Sequence, residues 1–206
     1  MTLSIANVDV SRETMADLEA FAALVGKWTP RINLIARSTV DSLWDRHIID
    51  SVQLYRFAPV SLSKWLDIGS GGGFPGIVMA ILGKTKHPEA RFVLIESDQR
   101  KATFLRSAAR ELSLSVFVLA QRVENTEPQA ADVVSARALA PLSGLLPLAQ
   151  RHLKPDGVAL FHKGRQAQQE VADARKNWSF ELEDHPSFTD PEARILAIQR
   201  INALGP

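Results

Sequence analysis

Between Lys64 and Lys163 the chain alternates short apolar runs with segments long enough for helices. The runs span 64–68, 91–96, 115–120, 131–135 and 158–163, and the longer segments span 75–82, 99–112 and 141–153. Strands joined through helices pair in parallel, because the crossover carries the chain back to the same end of the sheet. Continuous apolar runs further mark strands covered on both faces. Near the end, 180–182 and 195–201 read as two more strands with no crossover helix between them, which predicts an antiparallel hairpin. Lys154-Pro155-Asp156-Gly157 reads as a turn, since Pro presets one φ and Gly permits another.

Upstream, Met15, Leu18, Phe21, Ala22 and Val25 recur at helical spacing, with Ser11 or Thr14 as N-cap and Gly26 near the stop. A second amphipathic helix is expected after Ser38 and Thr39, carrying Trp44, Ile48, Val52 and Tyr55 on one face and closing at Pro59. The 206 residues therefore predict a single domain, a helical cap over 1–61 on an α/β core over 62–206.

Composition removes several kinds of chemistry. Cys is absent, which excludes disulfides, thiolate metal sites and thiol nucleophiles, and suits a reducing cytoplasm. No metal site is expected. The net charge of +1 announces no polyanionic partner by itself. Residues 1–10 lack the basic start and apolar run of a signal peptide, and no apolar stretch approaches the roughly 18 residues that span a bilayer.

The chemistry gathers after the first strand, in Asp67-Ile68-Gly69-Ser70-Gly71-Gly72-Gly73. In open α/β sheets the first strand-to-helix turn approaches the ligand, and glycines let the backbone come close. Glu96 then ends the second strand, where a carboxylate accepts from both ribose hydroxyls of an adenosine-type cofactor. Three readings compete. Gly71-Gly72-Gly73-Phe74-Pro75-Gly76 also satisfies the G-x-G-x-x-G of nicotinamide and flavin enzymes, and a glycine turn can bind nothing. Asp67 two residues before Gly69 favours the third, an S-adenosylmethionine-dependent methyltransferase. There the acidic residue fixes the loop and lies near the amino-acid moiety of the cofactor. Gln121-Arg122-Val123-Glu124 occupies the place of the adenine ring; Glu124 is either an acceptor for its amine or a solvated loop carboxylate.

Arg137 follows the fourth strand and Lys163 ends the fifth, so both are expected at the same crevice, where two cations suit a polyanion such as RNA. His47 and Asp50 share a helix face behind Arg46 and read as a local structural pair more readily than as catalysts. Asn33, Arg37, Arg165, Arg175 and Lys176 are weaker candidates for phosphate contacts. Enzymes that methylate the adenine amine usually carry Asn/Asp-Pro-Pro-aromatic after the fourth strand, and this chain has Ser135-Ala136-Arg137-Ala138 there. With neither that run nor a cysteine, the chemistry should need neither covalent attack nor assisted deprotonation, a condition that a ring nitrogen with a free lone pair, such as guanine N7, meets; catalysis then reduces to positioning and electrostatics.

Together, Asn33-Leu34, Arg46-His47-Ile48-Ile49-Asp50-Ser51, the stretch from Trp65 through Gly76, Ser135-Ala136-Arg137-Ala138 and His162-Lys163-Gly164 resemble the RsmG (GidB) family of bacterial ribosomal RNA methyltransferases. The resemblance covers nearly the whole chain. It implies a class I, Rossmann-like α/β methyltransferase fold with a mostly parallel sheet. It implies S-adenosyl-L-methionine as cofactor and N7-methylation of a guanine in the decoding-region loop of 16S rRNA, at nucleotide 527 in the usual rRNA numbering. Cofactor contacts carry over to Gly69, Phe74, Val123, Glu124 and Arg137, with Glu96 at the ribose and Asp67, Gly71 and Gly73 in the turn. His47, Asp50, Lys163 and Arg137 fall on the substrate side, positioning the RNA without a general base. The expected partner is 16S rRNA, within the 30S subunit or an assembly intermediate, met by a cytoplasmic monomer with no membrane contact. The alternatives are a small-molecule methyltransferase on the same fold and a nicotinamide dinucleotide-binding protein.

Overall fold

The computed structural model describes residues 3–205. Met1 and Thr2, part of the segment read as lacking a signal peptide, and Pro206 lie outside the described residues.

The N-terminal segment is not wholly helical, contrary to expectation. It opens with a small antiparallel hairpin, β1 (Leu3–Ile5) and β2 (Val8–Val10), which turns through Ala6 and Asn7 at positive φ. Helix α1 (Arg12–Ile32) begins where the Ser11 side chain accepts the Thr14 N–H at 3.1 Å. It runs straight past Gly26 and ends at Asn33, which takes the left-handed conformation at φ 52°. Asn tolerates that region because its short polar side chain bonds locally, so it and not the glycine stops the helix.

The expected second helix is wound three ways. A 3₁₀ turn at Arg37–Thr39 precedes a π-helix at Trp44–Ile49, then α2 (Asp50–Val52) and a further 3₁₀ stretch, Gln53–Phe57. The π winding is visible in the Asp50 N–H, which donates to Asp45 O, five residues back.

The main sheet has seven strands: β3 (Lys64–Ile68), β4 (Arg91–Ile95), β5 (Val116–Leu119), β6 (Ala131–Arg137), β7 (Leu153–Lys163), β8 (Trp178–Pro186) and β9 (Arg194–Ala203), in the order β5-β4-β3-β6-β7-β9-β8. β5 through β7 are parallel to one another, and β9 and β8 add the expected antiparallel hairpin. The chain starts at β3, builds outward to β5 and returns to the other side of β3 at β6. A crevice therefore opens at the carboxyl ends of β3 and β6. The predicted turn 154–157 is absorbed into β7, where Leu153 pairs with Ala131 and Val158 with Val133, so the intervening residues bulge opposite Asp132.

The crossover helices are α3 (Gly76–Lys86), α4 (Gln99–Glu111) and α5 (Leu142–His152); α6 (Ala167–Ala174), unforeseen in the sequence, follows β7. Residues 76–83 of α3 are all buried because α1 lies over them, and Leu18, Phe21 and Val25 share one core with Ile77, Met79 and Phe104. The opposite face of the sheet packs on α5 through Leu142, Leu145, Leu146 and Ala149. Phe21 is fully buried; removing such a ring costs about 3–5 kcal/mol.

Candidate functional site

The glycine turn closes over the end of β3. Gly69, Gly71 and Gly73 have φ of 67°, 54° and 90°, a region that L side chains avoid. Gly69 N and Ser70 N both donate to Ile95 O, fastening the turn to β4. Glu96, one residue beyond β4, accepts Gly71 N–H on one carboxylate oxygen and Asp98 N–H on the other, each at 2.7 Å. It thus anchors the turn as well as facing the cavity. A carboxylate has about four acceptor sites, so its capacity for ribose hydroxyls remains.

A cavity of about 600 Å³ lies above this turn, lined by Gly69, Gly71, Gly72, Phe74, Glu96, Val123, Glu124 and Arg137. Ligand pockets span roughly 300–1,000 Å³, so an adenosine-bearing cofactor fits by size as well as by donor set. Seven of the nine residues expected at the cofactor therefore meet around one space. The other two do not reach it. Asp67 is buried beneath the turn, where one carboxylate oxygen accepts from Ser135 Oγ at 2.6 Å and the other lacks a partner. Burial pushes its pKa up to about 6. Gly73 also faces inward, and a Cβ there would stand 2.8 Å from Ile77 Cγ1 and 2.9 Å from Phe21 Cζ.

A second cavity of about 640 Å³ adjoins the first and shares Leu34, Arg137, Ala138, Leu139 and Ala140 with it. Arg137, the last residue of β6, stands at the boundary. Its guanidinium donates to His47 Nδ1 at 2.8 Å, Arg46 O at 3.2 Å and Asp50 Oδ2 at 3.4 Å, and lies 5.1 Å from the Phe74 ring centroid. Since Nδ1 accepts, His47 carries its proton on Nε2, which donates to Thr39 Oγ1 at 2.8 Å. Burial and the neighbouring Arg137 charge push the His47 pKa down to about 4, so the ring is neutral near pH 7.

His47 and Asp50 do not pair with each other; they converge on Arg137 from adjacent turns. Asp50 Oδ1 also accepts from Gln53 Nε2 at 2.8 Å and Thr189 Oγ1 at 2.9 Å. Burial works against its ionisation, but His162, Arg137 and Thr189 outweigh burial and hold its pKa below the usual carboxylate value. His162 Nε2 donates to Asp50 O at 2.8 Å, from a ring whose pKa burial lowers.

Lys163 lines the second cavity but brings little free charge to it. Its ammonium donates to Glu170 Oε2 and Ala140 O, each at 2.7 Å, so the expected cation is neutralised in place. Of the weaker candidates, Arg165 pairs with Glu192 and Lys176 with Asp173, Arg175 lies over Phe180, and Asn33 caps α1. Sequence reasoning missed Thr39, Gln53, Glu170 and Thr189, each an ordinary polar residue whose role arises only from contacts made across the fold. Among the described residues no group of three or more His, Asp or Glu could hold a metal, and no helix is long and apolar enough to cross a membrane.

Residues 14–196 match the family model for GidB, described as rRNA small subunit methyltransferase G. The chain is 56% identical over 197 residues to the ribosomal RNA small subunit methyltransferase G of Cereibacter sphaeroides, covering 96% of each chain. It is 52% identical to the protein of that name from Rhodospirillum centenum, covering 95% of this chain and 88% of the other. Among solved structures, it resembles a SAM-dependent methyltransferase from Aquifex aeolicus with a TM-score of 0.56 at 14% identity, covering 76% of this chain and 91% of that one. That likeness speaks for the fold alone.

Proposed function

We infer the reaction from one premise, that this chain belongs to the rRNA small subunit methyltransferase G (GidB) family. It is therefore an S-adenosylmethionine-dependent methyltransferase of 16S rRNA. The finer reading is methylation of guanine N7 at nucleotide 527, in the 30S subunit or an assembly intermediate, by a cytoplasmic monomer.

When bound, S-adenosylmethionine supplies an electrophilic sulfonium methyl group. The glycine turn offers backbone in place of side chains at the first cavity, Glu96 offers acceptors for a ribose, and Val123 and Glu124 border the place for adenine. Arg137 lies between that cavity and the second one, which would take the target base.

The observation that carries the choice of N7 is the state of the proton acceptors around the second cavity. His47 Nδ1 is engaged by Arg137, Asp50 by Arg137 and Thr189, Glu170 by Lys163 and the Leu142 N–H, and Asp190 by Arg46. His162 also lines this cavity; its Nδ1 has no partner but is buried, and burial lowers the pKa of the ring, which weakens it as a base. Glu170 keeps Oε1 open but is charge-paired with Lys163 through Oε2, so each carboxylate of this set is compensated by a cation. Guanine N7 presents an in-plane lone pair and loses no proton on methylation, so positioning and a fixed electrostatic environment suffice. An exocyclic amine or a ribose hydroxyl would need a base.

The test is to incubate the protein with labelled S-adenosylmethionine and 30S subunits lacking the modification, then digest the rRNA to nucleosides. Label is expected in 7-methylguanosine. Label in another nucleoside, or none from folded protein that binds the cofactor, would contradict the assignment. Competition by 16S rRNA separates it from a small-molecule methyltransferase.

A further inference from the structure

The tip of the β8–β9 hairpin borders the second cavity through Thr189, Asp190 and Ala193. It is pinned from below. Thr189 Oγ1 donates to Asp50 Oδ1 at 2.9 Å, and the Phe188 N–H donates to Oε1 of the fully buried Gln53 at 3.0 Å. With its backbone fixed in this way, Phe188 points outward and is 52% exposed, whereas Phe21, Phe104 and Phe161 are fully buried. Arg56 lies over it, with Cζ 4.8 Å from the Phe188 centroid and 5.5 Å from that of Phe57.

The charges around this tip are unequal. Asp190 pairs with Arg46, Glu192 with Arg165, Asp184 with Arg194 and Glu183 with His185. Arg56 is exposed and has no carboxylate partner among the described residues. A held aromatic ring beside an uncompensated guanidinium matches the chemistry of single-stranded nucleic acid, whose bases stack on aromatic faces while cations meet the phosphates. A protein partner that docks by apolar contact needs a patch of several hundred Å², and Phe188 is the one exposed large hydrophobic residue on this hairpin. Arg56 follows Asp50 by six positions, through α2 and the 3₁₀ stretch after it, a rise on the order of 10 Å, which keeps the platform within reach of a neighbour of the base in the second cavity.

We propose that Phe188 and Arg56 hold an unpaired nucleotide of the rRNA substrate that flanks the target guanine, Phe188 by stacking on its base and Arg56 by contacting its phosphate. This rests on the reading of the second cavity as the site of the target base.

The test compares wild type with Phe188→Ala, Phe188→Leu, Phe188→Trp and Arg56→Gln. The readouts are steady-state methylation of 30S subunits and filter binding of protein-free 16S rRNA. Phe188→Ala and Phe188→Leu should raise KM for the subunits and Kd for the RNA about tenfold, leaving kcat and the cofactor KM unchanged. Phe188→Trp, which keeps a ring, should behave as wild type. Arg56→Gln should reduce the slope of log Kd against log salt by about 0.7. The proposal is overturned if Phe188→Leu matches wild type, if the cofactor KM moves with it, or if the loss appears with subunits and not with free RNA, which would point to a protein partner. Wild type that methylates rRNA beside unaffected variants overturns the platform alone; wild type that methylates no rRNA overturns the assigned function and the platform with it.

Discussion

Arg137 donates to Nδ1 of His47 across 2.8 Å, joining the end of β6 to the π-wound stretch of the N-terminal segment. Ninety residues of sequence separate the partners. The bond fixes the proton of His47 on Nε2 and holds the guanidinium between the two cavities, so that one short contact orders both sides of the crevice.

His47 should give acid sensitivity that its replacement removes. Its pKa falls from 6.5 to about 4 on folding, through burial and the Arg137 charge. Between those values the unfolded chain binds the proton that the native ring refuses. The stability is thus fully present above pH 6.5 and is lost as pH falls toward 4. In His47→Gln the urea midpoint should fall less on acidification than in wild type; an identical fall would refute the assignment.

Asp67 works in the opposite sense over nearly the same range. Burial raises its pKa from 3.8 to about 6, so the native state holds the proton more tightly and gains stability as pH falls through that interval. Asp67→Asn lacks this gain. Its melting temperature relative to wild type should therefore decline between about pH 7.5 and about pH 5, by the equivalent of about 1–2 kcal/mol. A constant difference would argue that the buried carboxyl does not titrate there.

Glu96 is asked to do two jobs, and its replacement should show both. Glu96→Ala removes the acceptor for Gly71 N–H and Asp98 N–H along with the ribose acceptors. Hydrogen bonds to charged groups contribute about 1.5–3 kcal/mol, so calorimetry should find S-adenosylmethionine binding weakened about 10- to 100-fold. Unchanged affinity would place the cofactor elsewhere.

Gly73 serves the core more than the cofactor. Gly73→Ala must adopt φ 90° and push on Ile77 and Phe21, strain and overpacking that together cost about 2–4 kcal/mol. Thermal unfolding should show that loss; unaltered stability would mean that the turn relaxes without resistance.

What the sequence revealed and what it hid divide along a physical line. The strands β3 to β7, the terminal hairpin and the glycine turn were legible because periodicity and backbone freedom are written locally. Glu96 was placed by its position after a strand. The inward aim of Asp67 and Gly73 was not, because a residue in a turn can face the ligand or the core and only packing against Ser135 and Phe21 decides. The same holds for Lys163, whose charge met Glu170 on α6, a helix of eight residues with little apolar pattern of its own. The bulge at 154–157 misread as a turn shows strand pairing overriding local turn chemistry.

The central claim is that methyl transfer here proceeds by positioning, without a protein base. It is tested most directly by the single-turnover rate of 30S methylation at saturating cofactor, followed from about pH 7 to about pH 9. The account predicts a rate independent of pH, because guanine N7 has no proton to lose and His47 is already neutral throughout that range. A rate rising by up to tenfold per pH unit within that range would reveal a titrating base and contradict it.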